Sequence, residues 1–531
     1  MPRGDAEDPK KLTPQALEGA AKAIIFWQAM KKFFRQESIV FLVIWLLLIL
    51  FGRVNLFRDP GTFWHLVVGR QILATHHLPT ADIYSFTCHG QPWTAHEWLP
   101  ECLMALIYRI FGFDGLLFMT AAVLAGLYTW VFARLRRGGL GLPLASLLLA
   151  LVLAASSHHF HVRPHVISLV FLALTFAWLC DFEAGRKCLL SLFWLWPMFI
   201  IWTNSHGGVL AGLGTLGLTV GGWILARLIG QNSPIKSFQE TLGLSLLVLG
   251  CLLTVFLNPY GAELPRTWLA IMKSPVVPQV IQEHVTLFKE LGQNWATLCF
   301  GLFFLACLWG VLPRWPRVTW LLPVVWLVLG CYRVRNTPLF AVTAALALAE
   351  FLPEVRWVRR LSERGSVIFR LHPASSTRPP LNLSDLLVPG LALLLTATLS
   401  LSSLSLTGRG LTRLDPRHWP IELLPDLKGY EETQPPGTPI LNDMLFGGFL
   451  IFYTPRLQVF VDDRCELYGD PFLRSYSRND WAFIAQWIER SGARLALTIP
   501  GSDLDNYLQH TAGWLLVKRT AAAALYRRDG A

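Results

Sequence analysis

Apolar runs too long for a soluble domain recur along this chain, near residues 38–53, 114–133, 140–157, 166–180, 188–204, 208–228, 241–257, 295–312, 318–331, 337–352 and 386–405. A helix needs about 20 mostly apolar residues to cross a hydrocarbon core. The eleven runs therefore predict a polytopic helical membrane protein of about eleven spans. Residues 98–112 (WLPECLMALIYRIFG) are shorter and read as either a half-buried helix or a further span. Composition agrees, since 15% of the 531 residues are charged where soluble domains carry about 25%.

Residues 1–37 are polar and place Lys22, Lys31, Lys32 and Arg35 among Ile24, Ile25, Phe26, Trp27, Phe33 and Phe34. That pattern predicts an amphipathic helix lying on an anionic leaflet, with the first span as an uncleaved anchor. The nine cysteines are scattered, with no CxxC pair, so they argue for neither a zinc site nor a disulfide scaffold.

Arginine and lysine set the orientation. Arg134, Arg136 and Arg137 form one cluster, Arg186 and Lys187 a second, Arg314 and Arg317 a third, and Arg356, Arg359, Arg360, Arg364 and Arg370 the largest. They fall on alternate loops with the N-terminus, and those loops are expected to be cytoplasmic. The net charge of +11 is then a topology signal, and nucleic acid is not an expected partner.

The opposite loops hold Arg58 and Asp59, Asp82, HEW at 96–98, HHFHVRPH at 158–165, TNSHGG at 203–208, QEH at 282–284 and YRVRN at 332–336. Polar groups gathered on one side of a membrane line a cavity or snorkel to the interface. From about Thr407 strand-like and helix-like pieces alternate (TPILNDM, GGFLIFY, LQVFVDD, WAFIAQWIER, ARLALTI, AAALYRR). They predict an outer α/β domain over residues 407–531, after a membrane domain over 38–406 whose first outer loop is 54–113.

Asp59 has two readings. Asp-Pro-Gly-Thr is a helix start, with Asp59 at the cap and Pro60 in the first turn. A carboxylate at the outer surface can also be a general base for an acceptor hydroxyl. Arg163, Arg333 and Arg335 suit a phosphate. His65, His96, Glu97, His158, His159, His161, His165, Asn204, His206, Glu283 and His284, with Arg58 and Asp82, are candidate cavity residues. A divalent metal on His158, His159, His161 or His165 with Asp59 or Glu97 is a further option, although the HHFH spacing is not a helical ligand pair. Asp462, Asp463, Arg464 and Glu466 either cap a strand end or face the cavity.

The first outer loop, RDPGTFWHLVVGRQILATHHLPTADIYSFTCHGQPWTAHEWLPECLMALIYRIFG, with RPHVISLVFLAL, IWTNSHGG, LNPYG and FVDDRCELYGD, resembles bacterial membrane glycosyltransferases of the GT-C superfamily, near the protein O-mannosyltransferase and aminoarabinose transferase group. The resemblance runs from about Arg53 to the end. It implies a bacterial cytoplasmic-membrane enzyme taking a sugar from a polyprenyl-phosphate donor to a glycan, lipid or protein hydroxyl, with Asp59 as the base. Two departures stand out: Arg58 occupies a place where many such enzymes have an acid, and the oligosaccharyltransferase WWDYG signature is missing. A lipid-glycan flippase, a scaffold and a glycan-binding descendant of the fold are the alternatives.

Overall fold

The computed structural model describes residues 35–373, 387–401, 411–412 and 414–529. The expected amphipathic segment of residues 1–37 lies almost wholly outside them. Each apolar run forms a helix over its described part: Gln36–Leu50, Trp98–Arg137, Leu142–Ser156, His165–Glu183, Leu189–Thr203, Val209–Leu228, Phe238–Leu253, Leu291–Val311, Val318–Tyr332, Thr337–Phe351 and Leu387–Leu401. Among the described residues, seven are long and apolar enough to cross a membrane. The count of eleven is therefore not reached on length. At 1.5 Å per residue, the 15-residue helices Gln36–Leu50 and Val318–Tyr332 extend about 22 Å, and Leu189–Thr203 is two pieces, Leu189–Leu192 and Leu195–Thr203. Residues 98–112 match the half-buried helix of the two expected options. Gly112 is non-helical, with a φ of 62° that suits glycine, and divides them from the following run within Trp98–Arg137.

Helix Thr337–Phe351 occupies the centre of the bundle, buried along nearly its whole length and packed against Trp98–Arg137, Leu142–Ser156, His165–Glu183 and Val318–Tyr332. Its alanines explain the position, because small side chains let neighbouring helices approach closely. At one end Arg134 and Arg186 both pair with Asp181 (2.9 and 2.6 Å) and with Glu350 (3.3 and 2.6 Å), tying three helices together on the side where the basic loops lie. Phe238–Leu253 starts in a capping box. Ser237 Oγ accepts the Glu240 N–H at 3.1 Å, and Glu240 Oε2 accepts the Ser237 N–H at 3.3 Å.

At the other end stands a five-stranded sheet of order β2-β1-β3-β5-β4, with β1 Thr438–Asn442, β2 Leu457–Val459, β3 Leu495–Thr498, β4 Trp514–Arg519 and β5 Ala524–Arg528. β1 runs parallel to β2 and β3, while β5 is antiparallel to β3 and β4. GGFLIFY is helical, inside Met444–Tyr453. It has no strand alternation, and it buries two glycines against neighbouring backbone. β4 was not among the expected strands, since WLLVKR ends in a charged pair and leaves most of its side chains exposed.

One face of the sheet packs on the domain's own helices, Leu441, Ala496 and Tyr526 meeting Leu473, Ile484, Ile488 and Leu508; the other face is shared. Phe63, Trp64 and Val68 of helix Gly61–Thr75 share one apolar cluster with Trp419, Phe446, Phe449 and Leu450. A Cβ on Gly448 would lie 2.2 Å from Pro60 O. The first outer loop also extends the sheet, as Phe86 N–H reaches Val459 O at 3.1 Å and Val459 N–H reaches Tyr84 O at 3.0 Å.

Candidate active site

Helix Gly61–Thr75 begins one residue later than expected, with Pro60 at its cap position. Asp59 still satisfies an orphan donor, because Oδ1 accepts the Gly61 N–H at 2.8 Å. Its Oδ2 accepts from Arg163 Nη1 at 3.0 Å, and the residue is 9% exposed. Arg163 lies in the turn between the helical segments ending at His159 and starting at His165, where HHFHVRP cannot continue a helix through its proline. Asp463 approaches the same guanidinium, with Oδ2 4.0 Å from Arg163 Nη2, while its Oδ1 accepts Trp64 Nε1–H at 2.8 Å. Burial opposes the Arg163 charge, but Asp59 and Asp463 together hold it firmly protonated.

Glu283 and His161 complete this corner. One ligand atom each of Asp59, His161 and Glu283 lie within 4.8 Å of one another. His161 Nδ1 is buried without a hydrogen-bond partner among the described residues. Burial works against ionising Glu283, yet His159, Arg163 and Arg335 around it keep its carboxyl below the usual range. Arg335 Nη1 donates to His284 Nε2 at 2.5 Å, and Arg333 Nη1 lies 3.4 Å from His284 Nδ1. Burial, with both arginines adding, pushes His284 down to about 4, so it is neutral at ordinary pH.

A second cluster adjoins the first through His165, whose ring centroid is 6.5 Å from that of His206. His206 Nδ1 accepts the Gly208 N–H at 2.8 Å, which leaves Nε2–H to face Glu97 Oε1 at 3.3 Å. His65 is fully buried, with Nδ1 2.7 Å from Glu101 Oε1 and Nε2 3.2 Å from Glu97 Oε2. A neutral imidazole has one N–H, so one of these contacts needs a further proton. Burial lowers His65 and raises Glu97, so the shared proton belongs on the carboxylate side of the cluster and the imidazole is neutral. His96 bridges Glu97 (3.7 Å) and Glu466 (3.8 Å). Glu101 and Trp64 were missed by sequence reasoning, since one sits inside an apolar helix and the other reads as membrane-interface aromatic.

Other expected site residues go elsewhere. Arg58 is half-exposed and pairs with Asp415 at 3.2 Å. Asp82 is buried, accepts from Ser85 Oγ at 2.7 Å and pairs with Arg464 at 2.8 Å. Arg464 and Asp462 form a closed buried pair at 2.6 Å. Asn204 uses both amide hydrogens on Ile200 O and Leu257 O and accepts from Trp98 Nε1, as a structural tie does. His158 lies 3.0 Å from Thr337 Oγ1, and His159 is 3.7 Å from Glu283.

No family profile matches the sequence, and no curated protein does. The fold is similar to that of the apo oligosaccharyltransferase of Archaeoglobus fulgidus, with a TM-score of 0.50 at 14% identity over 87% of this chain and 69% of that one. It is similar to the arabinofuranosyltransferase AftD from Mycobacteria, with a TM-score of 0.51 at 14% identity over 93% of this chain and 41% of the longer enzyme. ArnT from Cupriavidus metallidurans, bound to undecaprenyl phosphate, matches at a TM-score of 0.47 and 14% identity, over 92% of this chain and 97% of that one. At this identity the likenesses concern the fold alone.

Proposed function

This chain has the GT-C glycosyltransferase fold, and from that premise we propose that it is a membrane glycosyltransferase of the bacterial cytoplasmic membrane. On the outer face it moves a sugar from a polyprenyl-phosphate donor to the hydroxyl of a glycan, lipid or protein acceptor, inverting the anomeric centre. The observation that carries this reading is the Arg163 guanidinium, held by Asp59 at 3.0 Å and approached by Asp463 at 4.0 Å, with Arg335 and Glu283 close by.

A single displacement needs two things from the protein: stabilisation of the departing phosphate and a carboxylate for the acceptor's proton. Arginines held in place before the reaction suit the first, because they need no reorganisation as charge develops. Asp59 is the base that the sequence resemblance implies. Asp59, His161 and Glu283 fit a divalent cation, given their closeness and the unpartnered His161 Nδ1. Such an ion would supply charge neutralisation at the phosphate.

The test uses purified protein in nanodiscs with undecaprenyl-phosphate-linked hexoses as donors and water or lipid and peptide hydroxyls as acceptors. Release of undecaprenyl phosphate that is lost in Arg163→Gln is the expected result. No release from any donor, or equal release from the variant, sinks the reading.

A further inference from the structure

After β2, residues 460–464 lead into helix Cys465–Ser477 and meet Trp64, Asp82 and Arg163. This segment is anchored on both sides of Asp463. The Asp462 carboxylate accepts Arg464 Nε–H at 2.9 Å, Arg464 Nη2–H at 2.6 Å and Tyr468 Oη–H at 2.9 Å. Arg464 in turn meets Asp82 of the first outer loop at 2.8 Å and lies over the Trp93 ring at 4.8 Å. With both neighbours fixed, Asp463 is set against helix Gly61–Thr75 and Arg163.

The two carboxylates on Arg163 are not equivalent. Asp59 has both oxygens engaged, one with a guanidinium N–H at 3.0 Å and one with a backbone N–H at 2.8 Å. Those contacts occupy both of its oxygens and leave neither open to an acceptor hydroxyl. Asp463 has one oxygen on Trp64 Nε1, while the other stands 4.0 Å from the charge, beyond hydrogen-bond reach. That oxygen keeps lone pairs open toward the pocket.

We propose that Asp463, brought in by the C-terminal domain, is the group that takes the acceptor's proton, while Asp59 holds Arg163 ready for the phosphate. This assignment rests on the glycosyl-transfer reading above and moves the base from Asp59 to Asp463. In the step, the acceptor oxygen bonds to the anomeric carbon and the anomeric carbon–phosphate oxygen bond breaks, its electron pair leaving on the phosphate. The acceptor's proton passes to Asp463 Oδ2. Burial pushes Asp463 up to about 7 against the pull of Arg163, with Asp59 and Asp462 adding to the rise. A base poised near the working pH is what general base catalysis favours. The charged and titratable groups around Asp463 are Arg163, with Glu283 behind it, Asp59 at the start of helix Gly61–Thr75, and His65, stacked on Trp64 at 3.7 Å. Asp462, Arg464 and Glu466 belong to its own segment.

Wild type, Asp463→Asn, Asp463→Glu and Asp59→Asn in nanodiscs would be compared for release of undecaprenyl phosphate from the same hexose donors between pH 5 and 9, alongside thermal melts. Asparagine keeps the shape of Asp463 and can still accept from Trp64, so folding is preserved. The expected result is a wild-type rate that falls as pH drops below about 7, the value to which Asp463 is raised. Asp463→Asn lowers kcat by about 10²- to 10⁴-fold, leaves KM for the donor unchanged and flattens that acidic limb. Asp463→Glu restores part of the rate, and Asp59→Asn raises KM while keeping the limb. Two results overturn the assignment and leave the transfer reading standing: Asp463→Asn with wild-type rate and limb, or Asp59→Asn as the variant that erases the limb. Wild type that releases nothing from any donor overturns both.

Discussion

Asp462 and Asp463 are chain neighbours that bond to different parts of the molecule. Asp462 is fully buried against Arg464, whereas Asp463 gives one oxygen to Trp64 and reaches toward Arg163. Arg464 is 1% exposed and also pairs with Asp82, so a single guanidinium neutralises two carboxylates where the sheet meets the first outer loop. Removing one partner of a buried ion pair leaves an uncompensated charge and costs about 3–5 kcal/mol. Arg464→Met is therefore expected to lower the melting temperature of the purified protein clearly, with Trp93 fluorescence reporting the loss. Asp462→Asn, which retains the Arg464–Asp82 pair, should cost less. A melting temperature for Arg464→Met equal to wild type would show that this anchor is not needed.

Gly448 sets how closely the outer domain approaches Asp59. Its Cβ would meet Pro60 O at 2.2 Å, and that of Gly447 would meet Val461 O at 2.4 Å. Both obstacles are backbone, which cannot swing aside. Gly448→Ala must push helix Met444–Tyr453 away from the residue that follows Asp59. Displacements of about 1 Å at a reacting centre can cost about 10²-fold, so turnover should fall by one to two orders of magnitude with far-UV circular dichroism unchanged. Gly429→Ala, where a Cβ meets nothing within 4 Å, serves as the control and should leave turnover intact.

Asp463 also makes a stability prediction whose sign can be worked out. Its folded value is raised to about 7, above the unfolded value of about 3.9. Ionising it therefore opposes folding: the penalty is nil below the unfolded value, builds as pH rises from about 4 to about 7 and is complete above the folded value. Asp463→Asn should melt a few degrees above wild type at pH 8 and at the same temperature at about pH 3, below the unfolded value. A lower melting temperature at pH 8 would contradict the burial of an ionised carboxylate at this place.

These predictions locate what the sequence could and could not convey. Hydropathy found the helices because each buries or exposes apolar surface over its whole length, and the motif after Leu56 announced the helix start that carries Asp59. Arg163 stood out as a cation between two helical runs. No sequence signal separates Asp463 from Asp462, since the contacts that do so cross from residue 463 to residues 64 and 163. Arg58 and Asp82 looked like site residues by proximity in the chain. Asp415 and Arg464, hundreds of residues away, claim them instead. GGFLIFY stood undecided among strand-like and helix-like pieces, because its glycine packs against Pro60, which lies far away in the chain.

The proposed phosphate site divides the arginines. Arg163 and Arg335 sit in the pocket beside Glu283, and a hydrogen bond to a charged group contributes about 1.5–3 kcal/mol. Arg163→Gln and Arg335→Gln should each weaken undecaprenyl phosphate binding by about 10- to 100-fold, measured by titration calorimetry on nanodisc-embedded protein. Arg58→Gln should not, because Arg58 faces Asp415 at 3.2 Å. His284, neutral above about pH 4, adds no charge to the pocket, so His284→Asn should leave the pH dependence of binding between 5 and 7 as it was. Equal affinities for the Arg163, Arg335 and Arg58 variants would remove these arginines from the phosphate site.

Cation binding is the last expectation, and Glu283 is the residue that tests it. Asp59 already spends both oxygens on Arg163 and Gly61, so the ionised Glu283 and the unpartnered His161 Nδ1 must provide much of any affinity. Manganese(II) titrated into chelator-treated protein and followed by electron paramagnetic resonance should show one bound ion. Glu283→Gln and His161→Ala should each weaken it by about 10- to 100-fold, whereas Asp415→Asn, at the exposed pair with Arg58, should not. If binding survives loss of both Glu283 and His161, the cation lies elsewhere, and Asp59 is left with Arg163 as its only charged partner.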